Sequence, residues 1–254
     1  MKKIFLMVMA ASLLSLPLLA QPKIVAHRGF WRTDGSAQNS LTSLQKAAEL
    51  GLYGSEFDVW LTADGVPVVF HDAVWDGLRI EDTKYTDLMS KRLPNGEFLP
   101  TLQQYLQLFA KTPYIRLIFE IKTHKTDERN RAVTELGVKL VRELGLENRT
   151  DYIAFSKYVC EVLHEITPKS NIAYLNGDLS PQQIKEMGIS GIDYHKNVFD
   201  KHPNWAKQAR ALGIEVNVWT VDGEEELTKF ANMPGIDIIT TNDPDKLKAI
   251  LEKK

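Results

Sequence analysis

The feature that most constrains this chain is an alternation of short apolar, β-branched runs with amphipathic segments, which repeats eight times. The runs have the length of buried strands, and the segments that follow them have the apolar spacing of helices. Eight strand–helix units over about 230 residues predict an α/β fold, a (β/α)8 TIM barrel. No Gly-x-Gly-x-x-Gly follows a predicted strand, which disfavours an open doubly wound sheet. The predicted strands cover residues 23–28, 55–61, 116–122, 152–156, 172–175, 191–194, 215–221 and 236–240.

One stretch departs from this alternation of strands and helices. The second strand is followed by a hairpin-like return over Val66–Phe70, and then by weakly periodic sequence over about residues 72–100. A long irregular segment in a compact domain is usually functional or an inserted flap. We therefore expect a single domain over residues 21–254 with one insertion after the second strand.

The first twenty residues differ from the rest. Lys2 and Lys3 precede an almost unbroken apolar run from Ile4 to Leu14, and Pro17 lies shortly before Ala20. This pattern predicts a signal peptide over residues 1–20 and an exported protein, periplasmic or secreted, with no stable membrane association after cleavage. An uncleaved anchor is the alternative, since about 17 apolar residues are borderline for spanning a bilayer.

Composition excludes several classes of function. The chain has 31 basic and 33 acidic residues, so no basic excess favours binding to nucleic acid. Cys160 is the only cysteine, which excludes an internal disulfide and a cysteine-based zinc site. We expect Cys160 to be buried and inert in a helix, whereas His124, His164 and His202 read as solvated surface residues.

Catalytic groups of a TIM barrel gather at the carboxyl ends of its strands. Side chains alternate along a strand, so Glu56 and Asp58 share a face, as do Glu120 and Lys122. The three acids at one barrel mouth would repel each other unless protons or a cation offset their charge. Oxygen ligands without a nearby His/Cys pattern favour Mg²⁺ or Ca²⁺ over zinc.

Other strand ends supply groups for phosphoryl transfer. Arg28 offers a planar fork for a phosphate, and Lys122 offers a point charge. His27 and His71 can move protons near neutral pH, one as base and one as acid. Trp219 ends the seventh strand and is predicted to line the substrate pocket, with barrel packing as the alternative. These residues predict a metal-assisted phosphodiester reaction on a small molecule.

The sequence resembles the glycerophosphodiester phosphodiesterase family from Ile24 to about Pro244. The segments that carry the resemblance are Ala26-His27-Arg28-Gly29, Glu56-Phe57-Asp58-Val59, Asp64-Gly65-Val66-Pro67-Val68-Val69-Phe70-His71-Asp72, Leu99-Pro100-Thr101-Leu102, Glu120-Ile121-Lys122, Asn217-Val218-Trp219-Thr220-Val221 and Thr241-Asn242-Asp243-Pro244. The resemblance implies a TIM barrel with an insertion after the second strand, and hydrolysis of glycerophosphodiesters to sn-glycerol 3-phosphate and an alcohol. It also implies that Glu56, Asp58 and Glu120 bind the metal, that His27 and His71 are the acid/base pair, and that Arg28 and Lys122 contact the phosphate.

One position departs from the family. Its usual Glu-Asn-Thr is replaced by Gln38-Asn39-Ser40, so a charge is lost where the family's glutamate would orient the arginine or a water. Reduced activity or a shifted substrate preference is one consequence, and a barrel that binds a phosphodiester without turnover is another. A phospholipase D-like or inositol-phospholipid activity and a barrel glycosidase are the remaining alternatives. The released alcohol, the choice between Mg²⁺ and Ca²⁺ and the oligomeric state are left open.

Overall fold

The structure, a computed structural model, describes residues 21–112 and 115–253. Within these residues eight parallel strands form a closed ring, because the first strand of the ring pairs with both the last and the second. The predicted (β/α)8 barrel is confirmed. The ring consists of β1 (Lys23–Ala26), β2 (Gly54–Leu61), β6 (Arg116–Ile121), β7 (Thr150–Ala154), β8 (Ile172–Tyr174), β9 (Gly191–His195), β10 (Glu215–Trp219) and β11 (Ile238–Thr241).

Helices surround this ring. Those that follow the barrel strands pack their apolar side on the outside of the sheet and form one large core with it. The described helices are α1 (Leu41–Glu49), α2 (Tyr85–Leu88), α3 (Leu102–Phe109), α4 (Asp127–Glu143), α5 (Lys157–Ile166), α6 (Pro181–Glu186), α7 (Lys196–Lys201), α8 (Trp205–Ala211), α9 (Glu224–Ala231) and α10 (Pro244–Glu252). None of the helices in the described part of the chain is long and apolar enough to cross a membrane.

Strand alternation separates the chemistry from the packing. Phe57 of β2 and Phe119 of β6 point outward, where their rings lie 4.8 Å apart and Phe57 stacks on Tyr105 of α3 at 4.5 Å. Glu56 and Glu120, their neighbours in sequence, point to the barrel interior and line its cavity. The apolar outward residues thus hold the strands against the helices and leave the inward positions available for polar side chains.

Capping residues set where several helices begin. Ser40 and Ser180 accept hydrogen bonds from the backbone of α1 and α6, and Pro181 occupies the first turn of α6. Thr101 forms a capping box with Gln104 at the start of α3. These caps fix the direction in which the chain leaves the mouth of the barrel.

The segment over residues 72–100 lies between β3 (Pro67–Val69), which pairs antiparallel with β2, and α3. It contains a hairpin of β4 (Val74–Trp75) and β5 (Leu78–Arg79), a 3₁₀ turn (Ile80–Asp82) and α2. Its apolar residues form a small core of their own with Trp60 and Val68 of the barrel side. The backbone N–H of Lys125 donates to Glu81 at 3.1 Å, which attaches the segment to the loop after β6.

Three details differ from the predictions. The first strand ends at Ala26 rather than Arg28, because the chain turns sharply at His27. Helix α7 was not predicted, since residues 196–201 lack a clear apolar period. His124 was expected on the surface but is buried, because its ring packs against Trp60 and both of its ring nitrogens bond to backbone groups. Cys160 is buried within α5 as predicted, and the predicted signal peptide lies outside the described residues.

Candidate active site

The turn after β1 places an arginine at the mouth of the barrel. Arg28 and Gly29 both have positive φ, 58° and 76°. Only glycine fits at position 29, because a Cβ atom there would lie 2.3 Å from the Oγ of Ser43. This backbone lets the N–H of Arg28 donate to Glu56 Oε2 at 2.7 Å. A left-handed non-glycine residue is strained, and such strain is typical of functional sites.

Three buried carboxylates lie together beneath this turn. Ligand atoms of Glu56, Asp58 and Glu120 all lie within 4.8 Å of one another. Glu56 Oε1 has no hydrogen-bond partner among the described residues. Burial, and then the charge of Asp58, raises the pKa of Glu56 well above its usual range and that of Glu120 to about 7. The three acids are therefore placed at an electrostatic cost when no cation lies between them.

Two cations adjoin the acids. Lys122 Nζ lies 2.7 Å from Glu120 Oε1 and 3.1 Å from Asp58 Oδ1, and Arg28 Nε lies 4.0 Å from Asp58 Oδ2. Burial alone would raise the pKa of Asp58 and lower that of Lys122, but their mutual attraction shifts both pKa values the other way. Asp58 is thus favoured in its ionised form, whereas burial and Asp58 shift Glu56 and Glu120 toward their protonated forms when no metal is bound.

Asn39 holds Asp58 from its outer side. Its Nδ2 donates to Asp58 Oδ2 at 2.8 Å, and its Oδ1 accepts the backbone N–H of Asp58 at 3.2 Å. Next to it, Gln38 Oε1 accepts from Arg28 Nη1 at 2.6 Å. The replacement of the family's glutamate by Gln38 put a hydrogen bond that orients Arg28 in doubt. This hydrogen bond is present, and a neutral amide accepts it.

His27 is fixed in one tautomer. Asn242 Oδ1 accepts from the indole N–H of Trp31 at 2.8 Å, while its Nδ2 donates to Asp222 at 2.8 Å, which fixes the orientation of the amide. The same Oδ1 lies 2.9 Å from His27 Nδ1, so this nitrogen carries the proton and donates it. The lone pair of Nε2 is left available. Burial, and then Arg28, lowers the pKa of His27 to about 4.

His71 has a more open setting. Its side chain is 35% exposed, and its Nδ1 lies 2.6 Å from the exposed carboxylate of Asp72. Its backbone carbonyl accepts the indole N–H of Trp60 at 3.1 Å. Burial lowers the pKa of His71, although Asp58 and Asp72 act in the opposite direction. The ring can therefore exchange protons with solvent more readily than that of His27.

Trp60 also contacts His124, 5.1 Å away edge to face. His124 Nδ1 donates to the carbonyl of Lys122 at 2.9 Å, and its Nε2 accepts the N–H of Leu61 at 2.9 Å. The buried pair Trp60 and His124 thus supports the backbone of His71 on one side and of Lys122 on the other. His124 was missed because Trp60 and Leu61, which contact its ring, lie far from it in the sequence.

Six of the predicted site residues line one cavity of about 370 Å³ at the carboxyl end of the barrel: His27, Arg28, Glu56, His71, Glu120 and Trp219. Asp58 and Lys122 adjoin them through their contacts with Arg28 and Glu120. Trp219 forms one wall, with Phe155 and His195 against its edges at 5.7 and 5.1 Å, and its indole N–H donates to the Asp193 carbonyl at 2.8 Å. The structure brings all eight predicted site residues together. Those that sequence reasoning passed over are Asn39, Asp222 and Asn242, which position other groups, and Asp193 on the cavity wall. Alternation along its strand was the signal for Asp193.

The sequence model of the Glycerophosphoryl diester phosphodiesterase family matches residues 27–246. The chain belongs to this family. A glycerophosphodiester phosphodiesterase from Parabacteroides distasonis has a similar structure, with a TM-score of 0.90 and 48% identity over 92% of this chain and 98% of that one. A Caldanaerobacter subterraneus enzyme of the same name is 27% identical over 91% of this chain and 98% of its own length.

A third relative shares the fold. It is a phosphodiesterase from Oleispira antarctica in complex with the product sn-glycerol-3-phosphate, with a TM-score of 0.77, 22% identity and coverage of 91% of this chain and 97% of that one. At this identity the likeness extends to the barrel architecture. The oxygen-only donor set of Glu56, Asp58 and Glu120 fits a hard divalent cation, as in a metal-dependent member of the family.

Proposed function

We propose that this chain hydrolyses glycerophosphodiesters to sn-glycerol 3-phosphate and an alcohol, with Mg²⁺ or Ca²⁺ bound by Glu56, Asp58 and Glu120. The observation that carries the proposal is that Glu56, Glu120, Arg28 and two histidines line one cavity of a family member. Asp58 and Lys122 adjoin these groups, through the cluster of three acids and the ion pairs of Lys122. A barrel glycosidase would leave the cations and the histidines without a role.

The metal fits the acids on three grounds. Their ligand atoms are within reach of a single ion, every donor is a carboxylate oxygen, and Glu56 Oε1 is buried without a partner among the described residues. Such a cation, when bound, would polarise a phosphoryl oxygen and neutralise charge that develops there. Arg28 and Lys122 are placed to bind the remaining anionic oxygen of the diester.

His27 is suited to be the base. Its low pKa keeps the ring neutral near neutral pH, and its Nδ1–H bond to Asn242 leaves Nε2 as the acceptor. It would take a proton from the attacking group, which is either water or the neighbouring glycerol hydroxyl. Attack by the hydroxyl would expel the alcohol and form a cyclic phosphate, as expected for an intramolecular nucleophile. A water molecule would then open one P–O bond of the ring to give sn-glycerol 3-phosphate.

His71 is suited to be the acid. It lines the cavity and is 35% exposed, so a departing alcohol can leave past it, and the Asp72 carboxylate favours its protonated form. It would donate a proton to the oxygen of the leaving alcohol. The reaction is thus balanced: the bond to phosphorus forms at the attacking oxygen and breaks at the leaving oxygen.

All glycerophosphodiesters share a glycerol 3-phosphate half. This half corresponds to the product named for the Oleispira antarctica relative, sn-glycerol-3-phosphate. The test is release of glycerol 3-phosphate by protein starting at Gln21, from glycerophosphocholine, glycerophosphoethanolamine and glycerophosphoinositol. We expect activity that a chelator abolishes and that Mg²⁺ or Ca²⁺ restores. Choline release from lysophosphatidylcholine alone would favour the phospholipase D-like alternative, and tight binding without turnover would favour the binding protein.

We also propose that the protein is exported. The support is the sequence of residues 1–20, a positive head followed by an apolar run. Mass determination of the protein from fractionated cells is expected to find a mature chain outside the cytoplasm that lacks these residues. A full-length chain in the cytoplasm would contradict the proposal.

A further inference from the structure

Asp193 is a fourth buried acid in the active-site cavity, and none of the roles above uses it. It lies in the middle of β9 between two apolar residues, and its side chain points to the barrel interior. It lines the same cavity as Glu56, Glu120 and Trp219. It is not one of the acids whose oxygens lie within 4.8 Å of one another, so it stands apart from the metal cluster.

One carboxyl oxygen of Asp193 has nothing to bind. Its Oδ1 is buried and has no hydrogen-bond partner in the part of the chain that the structure describes. A buried polar atom left unpaired destabilises the protein, so such atoms in native proteins usually face a ligand or an ordered water. The neighbouring amide of Asn217 exchanges two hydrogen bonds with Thr240, at 2.9 and 3.1 Å. Asn217 also hydrogen-bonds the Asp193 carboxyl group, but Oδ1 is still left without a partner among the described residues.

The surroundings of Asp193 are apolar on several sides. Ile153, Phe155 and Leu175 line the cavity with it. Trp219 has already used its indole N–H on the carbonyl of Asp193, so its ring offers only an apolar surface. A ligand that fits here needs carbon atoms against these walls and a hydroxyl at one point, which is the composition of a short polyol chain.

The position of the cavity along the barrel says which half of the diester reaches this point. His71, at the solvent-accessible mouth, is on the side from which the variable alcohol leaves, whereas Asp193 is 2% exposed. The enclosed part suits the small half that every substrate shares. We propose that Asp193 binds a hydroxyl of the glycerol half, and so makes the enzyme select glycerophosphodiesters over diesters without that hydroxyl. This inference rests on the proposed function.

The first test is equilibrium binding of sn-glycerol 3-phosphate and of n-propyl phosphate, which lacks both hydroxyls, to the metal-loaded protein by calorimetry. Wild-type protein is expected to bind glycerol 3-phosphate at least about 10-fold more tightly, the value of one hydrogen bond to a buried partner. Asp193→Leu is expected to remove this preference, and Asp193→Asn, which keeps a hydrogen-bonding side chain, to retain most of it. A preference that persists in Asp193→Leu would assign the hydroxyls to the metal and overturn the proposal.

The second test uses turnover and wild-type protein. The two monodeoxy analogues of glycerophosphocholine are compared with the parent compound by choline release. We expect one analogue, the one without the hydroxyl that Asp193 binds, to lose at least about 10-fold in kcat/KM in wild type and to react at the same rate as the parent in Asp193→Leu. Equal rates for all three compounds in wild type would overturn the inference.

The binding test needs no turnover, so it separates the two proposals. Preference for glycerol 3-phosphate without hydrolysis of any diester would refute the proposed function and keep the role of Asp193. Hydrolysis without any preference for the hydroxylated ligand would do the reverse. If Asp193→Leu does not fold, the complex of wild-type protein with sn-glycerol 3-phosphate decides the question: no glycerol oxygen within hydrogen-bonding distance of Asp193 would overturn the inference.

Discussion

Both mouths of the barrel carry carboxylates, but the two mouths balance them differently. At the amino-terminal mouth Asp151 accepts hydrogen bonds from Arg116 at 2.9 and 2.5 Å and from Asn171 at 3.0 Å, and Glu215 lies 3.0 Å from Lys23. Each acid there has its own cation. At the carboxyl-terminal mouth Glu56, Asp58 and Glu120 share Lys122 and the more distant Arg28.

The difference separates acids that stabilise the fold from acids that serve chemistry. An acid that is paired with a cation at the start of a strand holds the barrel together at that end and needs no ligand to offset its charge. At the carboxyl-terminal mouth the buried acids outnumber the cations, which raises the pKa values of Glu56 and Glu120 and lowers the stability of the metal-free protein. Such a site is suited to a ligand whose positive charge offsets the excess negative charge. Substitutions at the carboxyl-terminal mouth should therefore affect activity, and those at the amino-terminal mouth stability.

The largest effect is expected for the two histidines. His27→Ala and His71→Ala each remove a group that moves a proton, which should lower kcat by about 10²–10⁴-fold with little change in thermal stability. Steady-state kinetics with glycerophosphocholine and a melting curve measure both. Wild-type turnover in both variants would remove the acid/base assignment.

A better leaving group distinguishes the two roles. A glycerophospho-p-nitrophenyl ester releases an alcohol that needs no proton, so His71→Ala should recover most of its activity on this substrate, whereas His27→Ala should not. The opposite pattern would exchange the base and the acid.

The next effect concerns the metal. Glu120→Gln keeps the shape of the side chain but removes one charged ligand, and we expect it to weaken Mg²⁺ or Ca²⁺ binding by more than about 100-fold, beyond what the loss of an outer-sphere partner costs. The metal-free variant should be no less stable than metal-free wild type, because repulsion from Asp58 is relieved. Calorimetric titration and melting curves with chelator measure the two effects. Unchanged metal affinity would exclude Glu120 from the ligand set.

The matched change at the other mouth is Asp151→Ala. It leaves Arg116 without its partner, and since the arginine is partly exposed we expect a loss of about 2 kcal/mol in the free energy of unfolding. The corresponding fall in Tm is roughly 4–8 °C. The folded variant should keep the wild-type kcat and KM. A large loss of activity at unchanged stability would contradict the assignment of the amino-terminal acids to stability alone.

The carboxyl-terminal mouth was the predictable part of the molecule. The positions of its eight site residues follow from strand alternation and from the rule that catalytic groups lie at strand ends, because both are local properties of the sequence. Asn39 and Asn242 act through turns whose backbone angles no apolar pattern encodes. His124 packs against Trp60 and accepts the N–H of Leu61, which lies 63 positions earlier in the chain. Such roles depend on contacts between elements far apart in the chain.

Metal binding at the carboxyl-terminal mouth is also expected to depend on pH, because its acids have raised pKa values. In the empty site the pKa of Glu120 is raised to about 7, by burial first and then by Asp58, so the metal must displace a proton below that pH. We expect the apparent Kd to rise by about 10-fold or more for each pH unit well below about 7, because the raised pKa of Glu56 means that the metal must displace a proton there too. Titrations in buffers of different protonation enthalpy should detect proton release near pH 6, and about one proton less for Glu120→Gln. Affinity that is constant between about pH 5.5 and pH 7.5 would contradict this.

The smallest effect is expected for Gln38→Glu, which places one more acid at the mouth where acids already outnumber cations. The new carboxylate would accept from Arg28 as Gln38 does now, at 2.6 Å, but as an ion pair. A more strongly held arginine and a more negative site should weaken binding of the anionic diester and strengthen binding of the metal, each by about 2- to 5-fold, as expected for one additional charge partly screened by solvent. KM should thus rise at saturating metal while kcat stays near wild type. Asn39, which the variant leaves unchanged, continues to hold Asp58, so a large fall in kcat would mean that the neutral amide itself takes part in turnover.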